Sequence, residues 1–190
     1  KLGTSSVERV MMAMTVEEKV QLIISGEAIP RLGIPKLPFI ISWELTEYLE
    51  LPALLSLTWN TELTEDVAKA IGYETLQHNE GVLITPRMNI LRNPFADGTF
   101  KYYSEDPVIS GQIAAAIVRG IQDNGMGGSL NDLSPIIDIQ DIEYHVQLTP
   151  RALREIYLKP FEIAVRESTP WVVLSSNNYI NGVSASQSSG

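Results

Sequence analysis

Short apolar runs alternate along the chain with longer stretches whose apolar residues recur at a roughly helical period. Residues 7–24 carry Val10, Met11, Met14, Val20, Leu22 and Ile23, which predicts helix with a spacing too irregular for one unbroken face. Thr15-Val16-Glu17-Glu18 places a hydroxyl three residues before a carboxylate. That capping-box pattern predicts a break near Met14 and a restart at Thr15. Ile29-Pro30-Arg31-Leu32-Gly33-Ile34-Pro35 reads as a loop, and the apolar run at 37–41 as a strand. Asn60 or Thr61 caps the next helix, which runs to about Gln77 with Leu63, Val67, Ala70 and Ile71 as its buried stripe. Residues 81–86 read as a strand stopped by Pro86, and a long loop follows over 87–103.

Ser104-Glu105-Asp106-Pro107 opens a third helix with acidic groups at the positive end of its dipole. Ile109, Ile113, Ala116, Ile117 and Ile121 form its inner face, and Gly125 ends it. Strands are expected at 126–130 and 136–139. Pro150 suits the first turn of a fourth helix, where its missing N–H costs nothing, with Leu153, Ile156, Tyr157, Phe161 and Val165 pointing inward. Residues 171–176 close the set as a strand. Strands joined by helices lie parallel, so the fold class is α/β. Two architectures fit: a (β/α) barrel, or an open doubly wound sheet. No Gly-rich phosphate loop follows the first strand, which weakens the nucleotide-binding version of the second. A full eight-stranded barrel takes about 250 residues, so the 190 residues here predict a partial or compacted barrel. Residues 1–190 read as one domain, with no linker or repeat and only a Ser-rich stretch at 184–190.

Composition narrows the function classes. Hydrophobic residues are 44% and charged residues 19%, a globular balance. The net charge of -9 disfavours nucleic acid, which needs clustered Lys and Arg, and disfavours anionic membrane surfaces. The absence of cysteine excludes disulfide scaffolds, thiolate metal sites and Cys nucleophiles. No apolar run approaches the roughly 18 residues of a membrane span. No leader segment is visible, and a mature chain would have lost one. The compartment stays open between cytoplasmic and secreted.

Several stretches together resemble the N-terminal barrel domain of glycoside hydrolase family 3, the β-glucosidase family. They are Met14-Thr15-Val16-Glu17-Glu18-Lys19-Val20, the loop from Ile29 to Pro35, Asn89-Ile90-Leu91-Arg92-Asn93-Pro94, Tyr103-Ser104-Glu105-Asp106-Pro107, Arg151-Ala152-Leu153-Arg154-Glu155-Ile156-Tyr157-Leu158, and Asn181-Gly182. They occur in the family's order and cover nearly the whole chain. The resemblance implies a TIM-barrel-like fold and a pocket for a β-glucoside or glucose, with no metal and no cofactor.

At the pocket the chain departs from the family pattern. The family's sugar-gripping Asp falls on Ile41, and Trp43-Glu44-Leu45-Thr46-Glu47-Tyr48-Leu49-Glu50 replaces a longer Gly-rich loop. A pocket His falls on Leu91, a second Arg on Gly98 and a Glu on Lys101. The family's sugar-binding Lys-His pair falls on Asn131-Asp132, and a Tyr on Asn177. Arg92 alone of the placed pocket residues keeps its identity. The resemblance puts the nucleophilic Asp on a later strand and the acid/base partner in a following domain, both beyond Gly190. Retaining hydrolysis needs two carboxyl groups about 5–5.5 Å apart, and neither stands at the family's positions here, so no catalytic residue is assigned.

The expected function is therefore a family scaffold that does not catalyse by itself, with weak carbohydrate binding at Arg92, Asn131, Asp132, Trp43 and Asn177. The alternative is part of a working β-glucosidase whose carboxylates come from outside this chain. Open sheet edges would favour pairing with a second copy.

Other chemistry-bearing residues carry two readings each. Asp132, Asp138, Asp141 and Glu143 form either a polar strand–helix loop or a cation or acid/base cluster, at a spacing that matches no metal loop. His78 and His145 lack partners at triad or metal spacing and read as structural. Trp59 reads as core and Trp43 as either structural or sugar-stacking. Arg92 either binds ligand or braces the loop at 89–94.

Overall fold

The computed structural model describes residues 1–36, 52–77, 81–93, 101–133, 135 and 145–188. They divide between two units, Lys1–Ile40 and Ile41–Gly190.

In the first unit the predicted break falls where the capping pattern put it. Helix α1 (Val7–Met12) ends, and α2 (Val16–Ser25) starts from Thr15. Both halves of the box form: Glu18 N–H donates to Thr15 Oγ1 at 3.2 Å, and Thr15 N–H to Glu18 Oε2 at 2.9 Å. Arg31 donates from Nε to Glu18 Oε1 at 2.6 Å and from Nη2 to the Ala13 carbonyl at 2.9 Å. The guanidinium, with the Thr15 amide second, holds the Glu18 carboxyl below the usual carboxylate range. The loop at 29–35 is a tight turn: Ile29 and Ile34 bridge antiparallel, and Gly33 takes φ 72°. Val10, Ile29, Leu32 and Ile34 form a small core, against which Met14 and Leu22 pack. No residue of α2 is buried, and Ile23 is 84% exposed.

The second unit holds α3 (Pro52–Leu57), α4 (Thr61–Gln77), β1 (Val82–Leu83), α5 (Pro107–Gln122), β2 (Gly127–Leu133) and β3 (His145–Val146). Then come α6 (Pro150–Ala152), α7 (Lys159–Ser168), β4 (Val172–Ser175), β5 (Tyr179–Ile180) and β6 (Val183–Ser184). Strands β1, β2 and β4 form a parallel sheet in chain order. An order without reversal is that of a barrel segment; a doubly wound sheet reverses at its switch point. The sheet is an open three-stranded one among the described residues, and the strands expected at 37–41 and 136–139 lie outside them.

Helix α5 is the hub. Asp106 caps it, its carboxylate accepting from the Val108 and Ile109 amides at 2.7 and 3.0 Å. Its Ile113, Ile117 and Ile121 join Leu83, Met126, Tyr103 and Ala68 in one buried cluster. Its Ala114 and Val118 join Leu130, Met88, Phe161 and Ala164 in another. The start of α4 is as expected, with Asn60 Oδ1 accepting from Leu63 N–H at 3.0 Å. Its buried stripe is not. Thr64, Ala68, Gly72 and Thr75 are buried, whereas Leu63 is 45% exposed and Ala70 is exposed. α4 approaches α5 too closely for large side chains, so small residues at helical spacing carry the contact. Ile71 still packs at its margin.

An ion network spans the same contact. Arg119 Nε lies 2.9 Å from Glu65, and Lys69 lies 3.3 Å from Glu65 and 3.0 Å from Asp123. The hydrogen bond from Arg119, then that from Lys69, outweighs burial and holds the Glu65 carboxyl below its ordinary value near 4.5. A depressed carboxylate contributes stability above its unfolded value and loses it as pH falls through its folded value. Denaturation midpoints should therefore drop as pH falls below about 4.5, and Glu65→Gln should flatten part of that drop. An unchanged acid profile in the variant would remove Glu65 from the account.

The last helical stretch begins at Pro150 as predicted, with Thr149 Oγ1 accepting from Ala152 N–H at 3.2 Å. A π-helical turn, Leu153–Tyr157, then joins α6 to α7, with Leu158 N–H donating to the Leu153 carbonyl at 2.8 Å. Pro160 has no N–H to offer the Ile156 carbonyl, which accounts for the interrupted ladder. Leu153, Tyr157, Phe161, Ala164 and Ser168 face inward. Ile156 and Val165, expected inside, are 41% and 44% exposed. Trp59 also departs from its expected core place: it is 77% exposed, at φ 53° in the turn after α3. No helix among the described residues is long and apolar enough to cross a membrane.

Candidate functional site

Parallel strands aim their carboxyl ends at one side of the sheet, and the residues just past them are where ligands meet an α/β fold. Here those residues follow β1, β2 and β4.

Past β1 the chain passes through Thr85 and a cis bond to Pro86, and Arg87 then bridges Asn131 in parallel register. Met88 N–H donates to the Asn131 carbonyl and Asn131 N–H to the Pro86 carbonyl, both at 3.1 Å. The backbone of Asn131 is thus tied on both sides to the neighbouring segment, and the residue is only 4% exposed. On its other flank β2 pairs with β4 as Ser129↔Val172, Leu130↔Val173 and Leu133↔Ser175. Three steps on β2 match two on β4, so β2 carries one extra residue within Asn131–Asp132. Such a bulge re-aims side chains and recurs beside active sites.

Past β4 come Ser176, Asn177 and Asn178. Ser176 and Asn178 are buried and Asn177 is exposed. The Ser176 hydroxyl donates to Asn178 Oδ1, and Asn178 Nδ2 donates to the Pro135 carbonyl at 3.0 Å. Asn178 therefore stitches the segment after β4 to the segment after β2. Just below, Ser129 Oγ is fully buried without a hydrogen-bond partner.

Arg92 stands farther along the loop after β1. Its Nη1 donates to Tyr157 Oη at 2.6 Å, so the loop-bracing reading of Arg92 has a concrete partner. Tyr157 is 3% exposed and packs with Ile90, Leu153 and Ile180. Nearby, burial pushes the Tyr103 phenol above its ordinary pKa, against a smaller opposing effect of its hydrogen bond with Thr85.

Of the expected binding residues, Asn131 and Asn177 thus fall at the ends of paired strands, Asp132 falls in the bulge, and Arg92 is held by a helix. Trp43 lies outside the described residues, as do Ile41, Gly98, His78, Asp138, Asp141 and Glu143. His145 is in β3, its ring stacked on Tyr179 with centroids 4.8 Å apart. No group of three His, Cys, Asp or Glu that could hold a metal occurs among the described residues. Asp132 is the one acidic residue that falls in a strand among the described residues.

Sequence reasoning missed Ser176 and Asn178 as parts of this rim, and took Tyr157 for packing alone. The Ser-Ser-Asn-Asn run at 175–178, directly after an apolar strand, was the available signal. An open cavity of about 400 Å³ lined by Gln147, Leu148, Thr149 and Asn181 is elsewhere. Two of its polar side chains are already engaged: Thr149 caps α6, and Asn181 exchanges two 2.9 Å hydrogen bonds with the Leu148 backbone.

No family model matches the chain. Individual proteins do. The exo-α-(1→6)-L-arabinopyranosidase of Bifidobacterium breve is 40% identical over 134 residues, covering 70% of this chain and 18% of that protein. β-Glucosidase B of Emericella nidulans is 30% identical over 203 residues, covering 97% of this chain and 24% of that protein. β-Glucosidase 3B from Thermotoga neapolitana, solved in complex with glucose, superposes with a TM-score of 0.83 at 34% identity over 95% of this chain and 30% of that one. The chain spans only 18% and 24% of the length of the two curated relatives. From the strand order, the motifs and these matches together, the chain belongs to glycoside hydrolase family 3, the family of these β-glucosidases, and corresponds to part of their N-terminal α/β domain.

Proposed function

We propose that this chain is a family 3 scaffold that binds a glucose-like sugar weakly at its strand ends and does not cleave glycosides by itself. The observation that carries the reading is the buried Asn131, fixed by backbone bonds on one side and a bulge on the other. With Asn177 and Arg92 it offers amide and guanidinium groups, which hydrogen-bond sugar hydroxyls. Amides neither attack an anomeric carbon nor protonate a leaving oxygen, and retaining hydrolysis asks for two carboxyl groups about 5–5.5 Å apart. The family resemblance adds Asp132, an acid, and Trp43, an indole, to the expected binding set.

The chain is expected to release no aryl alcohol from an aryl β-glucoside beyond the buffer rate. Turnover that Asp132→Asn abolishes would defeat the proposal. A second reading is favoured by length: relatives about four times as long leave room for carboxylates outside this chain, in a working β-glucosidase. A chimera with this chain in place of the equivalent part of the Thermotoga neapolitana protein separates the two readings. Activity in the chimera supports the second; inactivity supports the first.

The proposal treats residues 1–190 as a single domain, incomplete relative to the family barrel. It also includes a homodimer. Among the described residues β4 has a strand on one side only, and Val173 is 43% exposed. Strand-to-strand addition of a second copy would cover that edge. Sedimentation should return twice the 21.0 kDa chain mass, whereas a monomer at all concentrations would remove the pairing.

A further inference from the structure

We infer that Tyr157 is a positioning residue for Arg92, holding its guanidinium ready for a sugar hydroxyl pair; this rests on the sugar-binding reading above. Two independent features support it. The first is the 2.6 Å bond from Arg92 Nη1 to Tyr157 Oη. The second is the π-helical turn Leu153–Tyr157 that ends on this tyrosine. Such turns inside helices are frequent at functional sites, and here Pro160 withholds the N–H that would continue the regular ladder.

The tyrosine is held firmly. It is 3% exposed, and its ring is packed by Ile90 from the loop after β1, Leu153 from its own helix and Ile180 from β5. Arg92 itself is exposed. A free arginine samples many rotamers, and ordering them opposes binding. Tyr157 accepts from one guanidinium nitrogen and fixes the plane of the fork, leaving the other N–H donors for a ligand. Vicinal hydroxyls of a pyranose suit that planar fork, as a carboxylate does. The direction of control is from the helix layer to the rim: the phenol oxygen acts on the ligand only through Arg92.

The test is a double-mutant cycle on the intact chain, titrated with methyl β-D-glucoside and followed by NMR. Tyr157→Phe keeps the ring in its cluster and removes only the oxygen. It should weaken binding about tenfold in the unaltered chain and have no further effect when Arg92 is already Ala. An equal loss in both backgrounds, or no loss in either while Arg92→Ala alone weakens binding, overturns the positioning role. A fall in thermal midpoint without a change in affinity also overturns it, since a purely structural tyrosine would behave that way. If Tyr157→Phe does not fold, Arg92→Lys keeps a donor for Tyr157 but loses the fork. It should weaken binding similarly, and full affinity in Arg92→Lys overturns the assignment. No binding by the unaltered chain is a different failure: it removes the sugar-binding reading itself, and the assignment with it.

Discussion

Replacing Gly120 with alanine should destabilise the second unit by about 3 kcal/mol, the upper part of the usual range for overpacking a core. A Cβ there would stand 2.3 Å from the Glu65 carbonyl oxygen, 2.7 Å from Ala68 Cβ and 3.0 Å from the Lys69 nitrogen. Two of those three atoms are α4 backbone, so no rotamer change relieves the contact and the helices must separate. The approach is close from both sides, since a Cβ on Gly72 would stand 3.2 Å from Ile121 Cα. Alanine is the better helix former by about 1 kcal/mol, which the clash exceeds. Separation would also lengthen the Glu65–Arg119 pair. Urea denaturation reads the effect as a lower midpoint at unchanged slope. A midpoint equal to or above that of the unaltered chain would mean that α4 and α5 are farther apart than described.

Truncating Leu130 to alanine is the second large effect expected, about 3 kcal/mol within the range for buried leucines. Leu130 is 0% exposed. It lies in β2 among Met88 from the segment after β1, Ala114 and Val118 of α5, and Phe161 and Ala164 of α7. One side chain thus touches the sheet's neighbour segment and both covering helices, and the cavity left behind is walled by elements that cannot all collapse. The residue also precedes Asn131. The same variant should therefore weaken sugar binding when folded, because the bulge loses its support from below. A loss under about 1 kcal/mol would show that the layer relaxes freely around the site.

Local signals were the most legible part of this chain. Thr15 with Glu18, Asn60, Asp106 and Thr149 all start helices where expected, because a cap is decided by a few adjacent residues. Faces were harder. The α4 stripe was placed on Leu63 and Val67, whereas contact with α5 selects Thr64, Ala68, Gly72 and Thr75. Periodicity searches weight bulky apolar residues, and a close helix crossing rewards small ones. Ile156 and Val165 were misplaced because Pro160 interrupts the regular hydrogen-bond ladder there. The hairpin of β5 and β6 went unread even though its turn is Asn181-Gly182, with φ of 50° and 85°; that pair is a strong two-residue hairpin signal.

At the site, resemblance located Asn131, Asp132 and Asn177 on the strand ends. The bulge at Asn131–Asp132 depends on how many residues β4 offers opposite, which is not a local property of β2. The bond from Arg92 to Tyr157 joins residues 65 apart in the chain and leaves no trace in either segment.

The central claim is that the family framework persists here with a rim that holds a sugar and leaves its glycosidic bond intact. An NMR time course of the labelled chain with methyl β-D-glucoside tests it most directly. The account predicts saturable shifts of the Asn131, Asn177 and Asn178 amides while the anomeric signal of the glucoside persists undiminished. Growth of free glucose signals, or amides that do not move as the glucoside concentration is raised, would contradict it.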